Sequence, residues 1–435
     1  MLDIVGTDGH EKSKSGGIGS DWLRQLCLDC GADDVGFVDI SSPELDDQRA
    51  DILSVFPRTK SLISFVVKMN KENIRTPKRS VANVDFHHTG DDVLHTARSI
   101  VKKLSAEKVG GLYPSMGFPM EMDDFPGKTW VISHKPVAIA AGLGKMGIHR
   151  NIIHPKFGNF ILLGTVLIDH EIETYGELLE YNPCLECKLC VAACPVGAIG
   201  PDGNFDFAAC YNHNYHEFMG GFTALTETIA DAKDAKDLRT KIDDNESASW
   251  WQSLSFGANY KAAYCIAVCP AGDDVIGPYL ENKSAFKKEV LRPLTEKSEA
   301  IYVVPGTDAQ AHVEKRFKNK RVRLMRSHLR PTSIAGFIQS IPLVFNRHKS
   351  DGLDIVYHFD FTGKEEIQAT VTIRDKTISV VDGLEGSADF TLKADSKAWL
   401  SFLRKDKSLP MLLLTRKIRP KGPIKYLKSF SRCVR

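Results

Sequence analysis

The chain has 435 residues, 43% of them apolar and 26% charged, with a formal net charge of +2. That length leaves room for about three domains of roughly 150 residues with real cores. The charge is too small to argue for nucleic acid by itself, and the composition is that of an ordinary soluble globular protein. The N-terminus has no apolar h-region and no twin arginine, and the longest apolar runs, such as Phe160 to Ile168, are only strand-length. No transmembrane segment is therefore expected. The expected compartment is the cytoplasm, where thiols stay reduced and clustered cysteines signal metal rather than disulfides.

The first elements alternate helix and strand. Residues 1–19 read as a loose, Gly/Ser-rich tail. DWLRQLCLDC follows as a helix capped by Ser20, with a stop at Gly31 and a strand from Asp34. Ser61 to Met69 is a buried-strand run. A helix capped by Thr89 carries one apolar face through Val93, Leu94, Ala97, Ile100, Val101 and Leu104. TWVISH reads as a strand, PVAIAAGLGKMG as a helix ending in glycines, and NFILLGTVLIDHEI as another strand. Residues 20–178 thus form one α/β domain.

The cysteine region, 179–300, contains a polar insertion, DAKDAKDLRTKIDDNESAS, of weak helical character. A connector at 301–332 holds a strand, a helix and the basic stretch HVEKRFKNKRVRLMRSHLR. From 333 to 435 the character changes to alternating strands (LDIVYHFDF, IQATVTI, TISVV, ADFTLKAD) and helices (SKAWLSFL, LPMLLL), a separate α+β domain. The acid-free tail from Arg416 is the second basic stretch. Both stretches are either solvated faces or surfaces for an anionic ligand, an acidic partner or a membrane.

Seven of the ten cysteines fall in one region: Cys184, Cys187, Cys190, Cys194, Cys210, Cys265 and Cys269. CLECKLCVAACP is C-x2-C-x2-C-x3-C-P, the bacterial ferredoxin run, in which the fourth cysteine serves a different cluster from the first three. Zinc favours two separated knuckles and fits this unbroken run poorly. Cys184, Cys187, Cys190 and Cys269 are expected to hold one 4Fe-4S cluster, and Cys194, Cys210 and Cys265 a second. The position for an eighth ligand holds Ala262. The second cluster is therefore 3Fe-4S, or 4Fe-4S with a non-cysteine ligand for which His213 and His216 are candidates. Cys27 and Cys30 form a C-x2-C on an amphipathic helix and read as buried thiols.

The block AAGLGKMG, then HPKFGNFILLG, then the ordered cysteine runs resembles cobalamin-dependent epoxyqueuosine reductases and reductive dehalogenases over roughly residues 20–275. The resemblance implies a nitroreductase-like α/β domain holding cobalamin, followed by a two-cluster bacterial ferredoxin-like domain. It makes Gly142, Leu143, Gly144, Lys145, Gly147, His149, His154, Gly158 and Gly164 the expected cofactor-binding residues. The family's V-D-S-x-P aspartate is missing from TWVISHKPVA; His134 and Lys135 lie where that donor would be, and His134 is the expected proton donor, with His87, His88, His149 and His154 as further candidates. Because the aspartate and the family's helical repeats are absent, a tRNA substrate is not expected.

VYHFDFTGKEEIQATVTIRDKTISVVDGLEGSADFTLKADSKAWLSFL resembles the sterol-carrier-protein domain, which implies an apolar tunnel and a lipid ligand. The expectation is a cytoplasmic cobalamin- and iron-sulfur-dependent reductase of a small, lipid-like organic substrate, acting by reductive dehalogenation or a related cleavage. A ferredoxin or flavodoxin would supply its electrons. The alternative is a non-catalytic iron-sulfur electron carrier or redox sensor with a lipid-binding module.

Overall fold

The computed structural model describes residues 17–117, 130–184, 186–218, 220–404 and 406–434. The expected N-terminal tail lies, up to residue 16, outside them. The chain forms two compact units. The first takes in the described part of Met1–Pro119, Trp130–Ala193 and Tyr264–Leu294; the second takes in Cys194–Ala263 and Thr295–Arg435. Residues 264–294 thus return to the first unit after the long insertion.

The first unit contains α1 (Ser20–Asp29), β1 (Asp34–Asp39), α2 (Arg49–Val55), β2 (Ser61–Lys68), α3 (Lys71–Arg75) and α4 (Arg79–Ala106). It continues with β3 (Gly111–Leu112), α5 (His134–Ala140), β4 (Lys145–Met146), β5 (Ile152–Ile153), β6 (Ile161–Ile168) and α6 (Leu189–Ala193). Its sheet is antiparallel in the order β1-β2-β6-β3. Alternation divides the faces. Ile63, Phe65, Val67, Val166 and Ile168 pack with residues of α1 and α4, while Leu62, Val66 and Leu167 pack with Val137 and Ala138 of α5.

Three expectations change in this unit. Gly19, not Ser20, is the N-cap of α1. α4 begins ten residues before Thr89, which is buried inside it. The buried stripe Thr89, Val93, Ala97, Ile100 and Leu104 extends back to Ala82, and Gly90 costs an established helix only about 1 kcal/mol. No strand forms over Trp130–Ser133; Thr129 lies outside the described residues. β3 already pairs with β6 at that edge of the sheet, and α5 starts at His134 with Pro136 tolerated in its first turn.

In the second unit the insertion is helical, over Ala235–Lys241 and Asp244–Phe256, each started by an aspartate cap (Asp234, Asp243). A parallel strand pair, Ala300–Val303 with Arg321–Leu324, is bridged by the helix Asp308–Arg316. The C-terminal sheet has five strands. In order across the sheet they are Thr377–Asp382, Gln368–Arg374, Ile355–Thr362, Phe390–Asp395 and Ile418–Lys421. Only the Ile355–Thr362 and Phe390–Asp395 pair is parallel. Tyr357, Phe359 and Phe361 alternate inward and meet Phe337, Phe390, Trp399 and Phe430. Among the described residues no helix is long and apolar enough to cross a membrane.

Candidate metal centre

Five of the seven clustered cysteines belong to the first unit: Cys184, Cys187, Cys190, Cys265 and Cys269. Cys190 lies on α6, against which the helix Tyr264–Val268 packs, bringing Cys265 and then Cys269 to the same place. The loop before α6 puts Glu186 and Lys188 in the left-handed region, both at φ 49°. Such residues each store about 1 kcal/mol or more, a pattern concentrated at functional sites. Ile148 N–H donates to Cys184 Sγ at 3.3 Å, Leu189 N–H to the Cys187 sulfur, and Ala271 N–H to the Cys269 sulfur.

Burial, then repulsion from Cys265, Cys269, Cys187 and Cys184, pushes the Cys190 thiol up. Burial, followed by neighbouring sulfurs, pushes Cys269 up to about 12. Without a cation these thiols hold their protons. Iron would replace the protons, so assembly must release them. A donor set of buried (Cys190, Cys269) and half-buried (Cys184, Cys187, Cys265) cysteines with backbone N–H groups aimed at sulfur fits an iron-sulfur cluster.

Cys194 and Cys210 belong to the second unit. Cys194 is buried and its Sγ accepts from Ala198 N–H at 3.3 Å. Cys210 sits on the helix Phe207–Asn214, capped by Asp206, whose N–H bonds Ala198 O at 2.8 Å. Ala262 is buried, with its N–H on Asn214 Oδ1. His216 is not available as a substitute ligand. Its Nδ1 meets His328 Nε2 at 3.0 Å, its Nε2 meets Glu246 Oε1 at 3.1 Å, and its ring stacks on Tyr302. His213 accepts from Tyr302 N–H through Nδ1, leaving a buried Nε2 without a hydrogen-bond partner. Among the described residues no three His, Cys, Asp or Glu side chains form a group that could hold a single metal ion.

The glycines expected to cradle a corrin face protein instead. A Cβ on Gly142 would lie 2.7 Å from Glu177 O, on Gly144 2.6 Å from Ile153 O, and on Gly147 2.8 Å from His149 Cε1. On Gly158 it would lie 1.9 Å from Ala271 O, and on Gly164 2.1 Å from the Phe65 ring across β2 and β6. Leu143 is buried in the α5 core and Lys145 lies in β4. His149 is buried, bonded to Asn151 N–H and Asn159, and pushed down to about 4, first by burial and then by Lys135. His154 is buried between Asp34 Oδ2, at 3.0 Å, and a stacked Phe157. At these glycines the missing side chain lets neighbouring protein segments approach closely.

His134 sits at the start of α5. Its Nδ1 lies 2.8 Å from Thr165 Oγ1, its Nε2 is buried, and the backbone of Ser115 also acts on the ring. Thr165 is the cross-strand neighbour of Ser64, whose Oγ is buried and unpartnered. Burial pushes His134 down to about 4, so the ring is neutral at pH 7 and can offer a proton only from its N–H. His87 and His88 lie on α4, and the His88 side chain is largely exposed. Ser64 and Thr165 had a sequence signal in being polar within the apolar runs SLISFVVK and ILLGTVLI; Arg75, discussed below, had none.

Residues 346–435 match the SCP-2 sterol transfer family. Among curated proteins, the epoxyqueuosine reductase of Vibrio cholerae is 30% identical over 148 residues, 34% of this chain and 37% of that protein. The epoxyqueuosine reductase of Salmonella typhimurium is 32% identical over 137 residues, 32% of this chain and 34% of that protein. The chain thus spans little more than a third of these relatives' length. A crystal structure of an epoxyqueuosine reductase with a tRNA-Tyr epoxyqueuosine-modified stem loop is 16% identical. It covers 46% of this chain and 57% of its own, at a TM-score of 0.33. The names of the curated relatives correct two expectations: the exclusion of tRNA does not stand, and a small lipid-like substrate is not what those names support. By sequence the chain is similar to the epoxyqueuosine reductases over about a third of its length and to the SCP-2 sterol transfer family at its C-terminal end.

Proposed function

We propose that the chain is an iron-sulfur-dependent oxidoreductase of the epoxyqueuosine reductase type, working in a reducing cytoplasm. The observation that carries this reading is the set of buried and half-buried thiols of one unit, served by the backbone N–H groups of Ile148, Leu189 and Ala271. Cys184, Cys187, Cys190 and Cys269 hold a 4Fe-4S cluster in this reading. Cys194, Cys210 and Cys265 hold a second, with three or four irons, so that the two cysteine runs act as a ferredoxin-like pair. The α/β part over 20–178 is then nitroreductase-like, 179–300 the ferredoxin-like part, 301–332 the connector and 333–435 the sterol-carrier-like part.

The relatives' name makes epoxyqueuosine in tRNA the substrate to test first. Reducing an epoxide to an alkene takes two electrons and two protons, and the oxygen leaves as water. Two clusters, each refilled one electron at a time by an external donor, match the electron count. His134, oriented by Thr165, is the proposed relay that passes the two protons from water to the leaving oxygen, taking one up at one ring nitrogen as it gives one from the other. Cobalamin enters from the sequence resemblance alone, and because the expected glycines face protein, no step is assigned to it.

The test is anaerobic purification from cobalamin-fed cells with iron, sulfide and cobalt quantification and an EPR spectrum. Reduced protein is then incubated with an epoxyqueuosine-containing stem loop and the nucleosides are analysed by mass spectrometry. Iron near two clusters per chain and loss of the epoxide oxygen are expected. Protein that takes up no iron, even after reconstitution, would overturn the reading.

A further inference from the structure

Arg75 closes α3 and is half-buried, with two of its three guanidinium nitrogens sealed from solvent. Nε and Nη2 are inaccessible and have no hydrogen-bond partner. The group lies over the rings of Phe160, at 5.3 Å, and Phe286, at 5.2 Å. These rings exclude water and offer only their π faces. A guanidinium does not lose its proton in a protein, so this is a fixed, half-buried cation. Such a charge is unfavourable unless an anion answers it. The anionic groups acting on it are Glu72, an exposed side chain one turn earlier, and Cys269. α3 also packs directly on the helix Tyr264–Val268 that leads into Cys269.

We propose that Arg75 is the built-in counter-charge of the cluster held by Cys184, Cys187, Cys190 and Cys269, and that it raises that cluster's reduction potential. This rests on the cluster reading above. A 4Fe-4S cluster with four thiolates is an anion, and accepting one electron adds one more negative charge with no bond made or broken. A fixed, partly desolvated cation favours the more negative, reduced form. Arg75 touches no substrate; it is a positioning residue that acts through the cluster.

The experiment is an EPR-monitored redox titration of the full chain, reconstituted anaerobically. Wild type is compared with Arg75→Met, Arg75→Gln and Arg75→Lys, and the relevant signal is identified as the one lost in Cys187→Ser. The neutral variants should keep their iron and titrate at a more negative midpoint, while Arg75→Lys stays near wild type. Lys283→Met, which removes an exposed-side cation over Tyr279, should shift nothing. If both neutral variants lose iron and Arg75→Lys keeps it, the charge is required for assembly, which also supports the counter-charge. A neutral variant with full iron and an unchanged midpoint overturns the proposal. Wild type without iron fails the cluster reading itself, before any variant is compared.

Discussion

Replacing Gly158 by alanine should damage the cysteine centre from a position that bears no ligand. Gly158 sits at φ +64°, and a Cβ there would fall 1.9 Å from Ala271 O, two residues after Cys269. The same approach is held by Asp273 N–H on Pro155 O and Asp274 N–H on Lys156 O, both at 2.9 Å. Left-handed backbone costs alanine about 1 kcal/mol relative to glycine. Overpacking against a backbone atom that cannot swing aside adds about 1–3 kcal/mol. The sum, about 2–4 kcal/mol, should appear as a lower denaturation midpoint and a lower iron content, because the segment that yields carries Cys269. Two controls separate the terms. Gly352→Ala has the strain (φ +70°) with open space and should cost about 1 kcal/mol. Gly277→Ala has neither strain nor neighbours and should be close to neutral. Urea unfolding and iron assays on the three variants make the measurement. Gly158→Ala with wild-type stability and full iron would refute the close approach between these segments.

Four further outcomes are expected. Cys190→Ser, which removes the thiol on which the other four sulfurs act, should lower iron per chain by about one cluster, read by colorimetric iron assay. His149 is held neutral well below its ordinary value of 6.5, down to about 4. The unfolded state therefore binds more protons between those values, and stability is full above about 6.5 and falls as pH drops toward 4. One such group is worth about 3 kcal/mol, and His149→Gln should flatten the urea midpoint across that window. Glu217→Ala strips the carboxylate that accepts from Ser249 Oγ at 2.6 Å and Asn259 Nδ2 at 3.0 Å and pairs with Lys261. It leaves Lys261 uncompensated, and chemical denaturation should show a loss of about 3–5 kcal/mol. Phe359→Ala opens a cavity among Phe337, Tyr357, Phe361 and Phe430. It should destabilise the C-terminal sheet by about 3–5 kcal/mol while leaving iron content unchanged.

Local patterns that carry their own physics were legible in the chain. Alternating strands such as LDIVYHFDF formed because one face is fully apolar; Tyr357, Phe359 and Phe361 all point into one core. Ser61–Lys68 and Ile161–Ile168 formed as read, because a strand buried on both faces is a continuous apolar run. TWVISH misled because strand composition is worth little without a partner, and the neighbouring edge was already occupied by β3. The start of α4 was invisible because Thr89 looks like a cap and acts as a buried interior residue.

By itself the sequence determined the elements with a strong period and the cysteine spacing, since both are set by contacts within a few residues. Its glycines could be read only as permission for a close approach. Tertiary structure decided what approaches: Ala271 at Gly158, Phe65 at Gly164, Glu177 at Gly142. It also decided which thiols meet, because the chain returns after about seventy residues to bring Cys265 and Cys269 to Cys190. Contacts between residues far apart in the chain depend on which faces are left to be buried. That is a property of the assembled core, and no window of neighbouring residues contains it.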